Sequence, residues 1–119
     1  MNRLVTWTGR DCERGSGGVL ALALIGATLT VTFLGVPLLA VLAVGQSVQN
    51  AADAAALAAA DTASGAIPGY PCAAAAEAAR LNGAVVEACA LDGLIASVTV
   101  TRTVAVFALR SSARAGPPP

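Results

Sequence analysis

The chain has 119 residues, room for one modest domain, and 56% of them are hydrophobic while only 12% are charged, about half the charged share usual in soluble domains. Seven Arg balance seven Asp and Glu, and Lys and His are absent. These numbers argue against the basic surplus of a nucleic-acid binder, against the highly charged composition of a disordered chain and against most zinc and haem sites. Ala fills 29 positions and aromatics make up only 3%, so the composition points to a membrane-attached helix with a small appended domain and away from a free-standing enzyme.

The first element in chain order decides the class. No Asp, Glu, Lys or Arg occurs between Arg14 and Asp53, and within that gap the 26 residues Val19 to Val44 are almost wholly apolar. Crossing ~30 Å of hydrocarbon takes about 20 helical residues, so this stretch predicts a transmembrane helix over 19–45 with some tilt. Thr28, Thr30 and Thr32 can satisfy their hydroxyls on carbonyls of their own helix. Pro37 predicts a kink and not a stop. A secretory signal has an apolar region of only about 7–15 residues, and a buried soluble helix of this length needs a larger protein around it.

Arg3, Arg10 and Arg14 precede the span, and the next Arg is Arg80. The positive-inside rule makes these three residues the topology-setting ones. It places residues 1–18 in the cytoplasm and everything beyond about position 46 outside the cell membrane. Asp11 and Glu13 count little in that rule.

Eight of the ten residues 51–60 are Ala, the strongest helix former, and neither Gly nor Pro intervenes from Gln46 to Ala63. The membrane helix is expected to run on into this stretch, with Gly45 as a soft point. Gln46, Gln49, Asn50, Asp53 and Asp61 form one stripe, and Val48, Ala52, Ala55 and Ala59 form another. The second stripe is a candidate packing seam, because small residues let another helix or sheet approach closely.

Gly65, Pro68, Gly69 and Pro71 mark a loop. Residues 73–82 predict a short second helix, stopped by Gly83. Ala84–Ala90 reads as a strand, and Asp92-Gly93 as a hairpin signal. In Leu94–Leu109, Val98 and Val100 alternate with Ser97, Thr99, Thr101 and Thr103, as in a half-buried strand. Arg102 interrupts the apolar face, which leaves open one bent strand or two strands broken near that residue. Residues 111–119, ending in Gly-Pro-Pro-Pro, read as a disordered or extended tail beyond an extracytoplasmic domain at 46–110. The expected class is therefore an α+β membrane protein. A single-span helix continues into an Ala-rich helix, followed by a short helix and a small antiparallel sheet. A sheet of two or three strands is marginal alone and is expected to pack on the exposed half of the long helix.

Cys12 lies on the expected cytoplasmic side, where thiols stay reduced, and could carry a lipid. Cys72 and Cys89 fall outside, where a bridge can form. Joining them would close the helix and strand into one unit and contribute about 3 kcal/mol by the entropic estimate. The alternative is two independent buried thiols; compartment and count favour the bridge. Catalysis has little support, since the usual general base is missing. Asp53, Asp61, Glu77, Glu87 and Asp92 are better explained as solvated faces and turns. Arg14-Gly15-Ser16-Gly17-Gly18 follows no strand and leads to no Gly-Lys-Ser/Thr, so it is not a phosphate loop. The sequence implies no metal or other cofactor.

Two stretches carry a family resemblance: Glu13-Arg14-Gly15-Ser16-Gly17 directly before the span, and Gln49-Asn50-Ala51-Ala52-Asp53-Ala54-Ala55-Ala56-Leu57-Ala58-Ala59-Ala60 just after it. Together they resemble the N-terminal region of TadE/TadG-like Flp pilus-assembly proteins. The paired Cys72 and Cys89, Asn82-Gly83, Asp92-Gly93, the Val-Thr strand and Ala113-Arg114-Ala115-Gly116-Pro117 are similar to a short actinobacterial branch of TadE-like proteins. That branch tends to be encoded near secretion-ATPase and helicase genes. The resemblance implies a pilin-like outline. It also implies a pseudopilin-like or accessory role in a tight-adherence (Flp, type IVc) pilus or related secretion apparatus. The implied partners are the lipid bilayer, pilus or secretion-system membrane proteins and a second copy in a homo-oligomer, with no nucleic acid.

Some members of that family are cut after a Gly by a prepilin peptidase, with Glu fifth in the mature chain. A cut after Gly15, Gly17 or Gly18 would place Leu20, Leu22 or Ala23 there, so this chain is expected to stay uncut. The competing reading is a membrane-anchored extracytoplasmic binding or signalling module, for which no aromatic cluster or charge concentration supplies a recognition patch.

Overall fold

The computed structural model describes residues 14–118. The element order is α1 (Arg14–Ala63), α2 (Pro71–Leu81), β1 (Val85–Asp92), β2 (Ile95–Val104) and β3 (Phe107–Ala115). The chain divides into two compact units, Met1–Ala40 and Val41–Pro119, and α1 contributes to both.

In the first unit, the described residues are all helical. The hydroxyls of Thr28, Thr30 and Thr32 donate to the carbonyls of Leu24, Gly26 and Thr28 at 2.8, 2.8 and 2.9 Å. Each therefore satisfies itself within its own helix, as a polar group in an apolar stretch must. Pro37 lies inside α1 without ending it. The large apolar side chains here face outward; Val31, Phe33 and Leu34 are each more than two-thirds exposed. By length and apolarity α1 is a candidate membrane span, with a mean hydropathy of 2.3 over its most apolar window.

The second unit is an α+β domain. Gly45 does not interrupt α1, which continues to Ala63. α2 starts two residues before its expected position because Pro71 suits the first helical turn, where its missing N–H costs nothing. It ends at Leu81, one residue before the expected end, with Asn82 as its cap. Gly83 takes φ +73, the Gly83 N–H donates to Arg80 O at 3.0 Å, and the Ala84 N–H donates to Ala79 O at 2.9 Å. This closes the last turn as a Schellman motif.

The three strands form one antiparallel sheet in the order β1-β2-β3. β1 extends to Asp92, which pairs with Ile95 across a loop of Gly93 and Leu94, with Gly93 at φ +61. The break left open between 94 and 109 falls at Ala105–Val106, because Val104 pairs with Phe107 and Arg102 stays inside β2 opposite Leu109. The tail expectation needs correction, since residues 111–115 belong to β3, from Ser111 opposite Val100 to Ala115 opposite Ala96. Ser111, Ala113 and Ala115 alternate onto the half-buried face. They are small enough to lie under a helix, and that alternation holds the segment in the sheet.

The core is unusually fine-grained. It comprises Val48, Ala51, Ala52, Ala55, Ala56 and Ala59 of α1, Ala75 and Ala79 of α2, Ala84, and Ala96, Val98 and Val100 of β2. Its largest fully buried side chains are three valines. Such a core removes little apolar area per residue, so a covalent staple is of more use here than in a larger domain.

Candidate functional site

The candidate seam residues Val48, Ala52, Ala55 and Ala59 are all buried, at 2, 0, 0 and 0% exposure. What covers them is the chain's own sheet and short helix. The buried face is wider than a four-residue stripe, because Ala51 and Ala56 are buried beside them and Thr62 closes the end, its hydroxyl on Ala58 O at 2.8 Å. Sequence reasoning missed Ala51 and Ala56 because an Ala run presents the same side chain on every face. The opposite stripe, Asn50, Asp53, Leu57 and Asp61, is exposed.

Polar groups pin the edges of this seam. Arg102 Nη1 donates to Ser47 Oγ at 3.0 Å. Its guanidinium carbon would lie 3.7 Å from a Cβ at Gly83. The Ser111 hydroxyl donates to Gln49 Oε1, and Gln49 Nε2 donates in turn to Asp53 Oδ1 at 3.1 Å. Among the described residues no buried side-chain polar atom lacks a partner. Each such group would otherwise cost its full desolvation.

The second feature is the disulfide. Cys72 at the start of α2 and Cys89 on β1 are bonded, with Cα atoms 5.9 Å apart and the two residues 17 positions apart in sequence. Strand alternation explains why this pair meets. Cys89 lies opposite Val98 on the face that carries the core, and α2 packs against β1 from that side. The bridge therefore clasps the second helix to the sheet edge.

The outer face of the sheet is polar and small. Thr99 Oγ1 and Ser112 Oγ share a hydrogen bond of 2.8 Å, and Arg110 on β3 reaches Glu87 on β1 at 2.5 Å. Glu87 sits where the β1–β2 register shifts, between Val86 and Ala88. On α2, Arg80 forms a two-pronged pair with Glu77. That hydrogen bond holds the Glu77 carboxyl below its usual range and raises Arg80. The pair is solvent-exposed, so its effect on stability is small.

Among the described residues no group of three or more His, Cys, Asp or Glu is placed to hold a metal. Two shallow depressions flank exposed Leu57. One also involves Ala60, Asp61, Leu94 and Gly116, and the other Asp53, Ala56, Ala113 and Arg114. Arg3, Arg10 and Cys12 lie outside the described residues, and Arg14 is described only as the first residue of α1. Among the described residues the arrangement offers packing surfaces. No family model, curated protein or solved structure matches the chain.

Proposed function

We propose that this chain is a single-span membrane subunit, pseudopilin-like or accessory, of a Flp/Tad-type pilus or a related secretion apparatus. It acts by helix packing and protein–protein contacts, with its N-terminus in the cytoplasm and its α+β domain outside. The observation that carries this reading is one helix with two characters. The apolar run Val19–Val44 exposes its large side chains, while the Ala-rich continuation is covered by a disulfide-clasped sheet. An apolar helix so exposed requires lipid or other helices around it. The disulfide supports an oxidising location for residues 72–89. The resemblance of the span-flanking motifs to TadE/TadG-like proteins supports the pilus assignment.

The test is extraction of the full-length chain in mild detergent and identification of what comes with it. Recovery with a secretion ATPase and its membrane platform is the expected result. Recovery as a separate protein holding a small ligand would overturn the assignment in favour of an anchored binding module. The same preparation gives the N-terminus of the mature chain. It should be uncut, because a start at Ser16, Gly18 or Val19 would leave no acidic residue fifth.

A further inference from the structure

The β2–β3 hairpin ends in a tip that the domain core does not use. Its loop is Ala105 and Val106, flanked by the pair Val104 and Phe107. Ala105 holds φ +54, a conformation that L residues adopt only at a cost. Val106 is 86% exposed and Phe107 71%. No charged residue lies between Arg102 and Arg110.

Contacts along α1 fix the height of this tip. Ser111 bonds Gln49, Ala113 shares a depression with Ala56, and Gly116 shares one with Ala60 and Asp61. β3 therefore runs along the helix in the same direction, and its start lies toward the lower helix numbers. A strand advances about 3.3 Å per residue and a helix about 1.5 Å. The four residues from Ser111 back to Phe107 thus span about 13 Å, or about nine helical positions. Counted from Gln49, Phe107 reaches about the level of Val41, where the second unit begins. Val41 and Leu42 are themselves 66 and 61% exposed and belong to the end of the charge-free apolar run.

We propose that the hairpin tip is a second membrane contact, with Val106 and Phe107 inserted into the interfacial layer of the bilayer that α1 crosses. The proposal rests on the reading of α1 as a span. An apolar tip flanked by uncharged residues gains by burial at the headgroup–acyl boundary. The two-residue loop leaves few backbone groups unpaired, and the wet interface accommodates those. Arg102 and Ser47 mark the polar level just above.

The test uses the full chain reconstituted in phosphatidylcholine vesicles whose lipids are brominated near the glycerol end of their acyl chains. Trp7 is replaced by Phe, and a reporter indole is introduced by Phe107→Trp or, as reference, by Tyr70→Trp. Tyr70 is 83% exposed and follows the opposite end of α1. The indole at 107 should emit further to the blue than that at 70 and be quenched several-fold more. Adding Val106→Asp should reduce that quenching, with an intact Cys72–Cys89 bond reporting that the domain is folded. A chain that resists alkaline extraction yet shows equal quenching at 107 and 70 overturns the tip contact and leaves the span standing. A blue-shifted but unquenched indole at 107 means that protein covers the tip, and this also overturns it. A chain released by alkaline extraction overturns the span and the tip contact together.

Discussion

Arg102 on β2 donates from Nη1 to Ser47 Oγ on α1 at 3.0 Å, joining residues 55 apart in sequence. Strand alternation puts Arg102 on the same face as Val98 and Val100, where a charge reads as the end of the buried face. The bond shows how the strand carries it. The aliphatic stem covers the edge of the Ala core while the head reaches Ser47, just beyond the apolar run, and stays partly in water. β2 can therefore continue to Val104, and the chain reverses only at Ala105–Val106.

Arg102→Ala should lower the stability of the domain by about 1 kcal/mol, the size of a partly exposed hydrogen bond plus lost stem packing. Arg102→Met keeps the stem and should recover part of the loss. Thermal unfolding of the detergent-extracted chain measures both, and an Arg102→Ala variant as stable as the parent would show that the bond contributes nothing.

Ala55 has no exposed surface. Ala55→Leu must push the helix off the sheet and should cost ~1–3 kcal/mol. Ala76→Leu, on the exposed face of α2, should stay within about 0.5 kcal/mol. Ala54 and Ala60 are half-buried and should fall between the two. Limited proteolysis of the α+β domain ranks the four variants, and equal sensitivity at 55 and 76 would mean that no specific seam exists.

Replacing both Cys72 and Cys89 by Ser should destabilise the domain by about 2–4 kcal/mol, with α2 released first because the bridge holds it to β1. Mass spectrometry of the membrane-extracted chain reads the bond directly. Both thiols alkylating without prior reduction, after oxidising growth, would contradict the clasp.

Gly116 is a further position with a defined requirement. A Cβ there would lie 2.9 Å from Ile95 Cγ1 and 3.1 Å from both Ile95 Cα and Leu94 O. Two of these are backbone atoms of the β1–β2 hairpin, which cannot yield cheaply. Gly116→Ala should cost about 1–3 kcal/mol and loosen the end of β3, seen as faster amide exchange at Ala113 and Ala115. Unchanged exchange would show that the approach is not tight.

Much of this architecture is legible in the sequence because simple periodicities govern it. The charge-free gap marks the apolar helix, Gly83 marks the end of α2, and the Val98/Val100 alternation marks the buried face of β2. The less legible parts share a cause, which is low side-chain contrast. Ser-Ser-Ala-Arg-Ala at 111–115 carries no large apolar residue, so its strand depends on pairing with Val100 to Ala96, a non-local effect. Ala105–Val106 lacks Gly and Asn, so the second hairpin has no turn signal to read. Gly116 looks like part of a loose Gly-Pro tail until its neighbours are known. The seam showed its core residues at 48, 52, 55 and 59, while its width at 51 and 56 depended on which neighbour packs there.

The most direct measurement is a topology assay on the intact chain. An alkaline phosphatase fused after Pro119 should be active in living cells, and the same enzyme fused before Met1 should be inactive, with the chain retained in the membrane after alkaline extraction. An inactive C-terminal fusion paired with an active N-terminal one would contradict the orientation, and release of the chain by alkaline extraction would contradict the span itself.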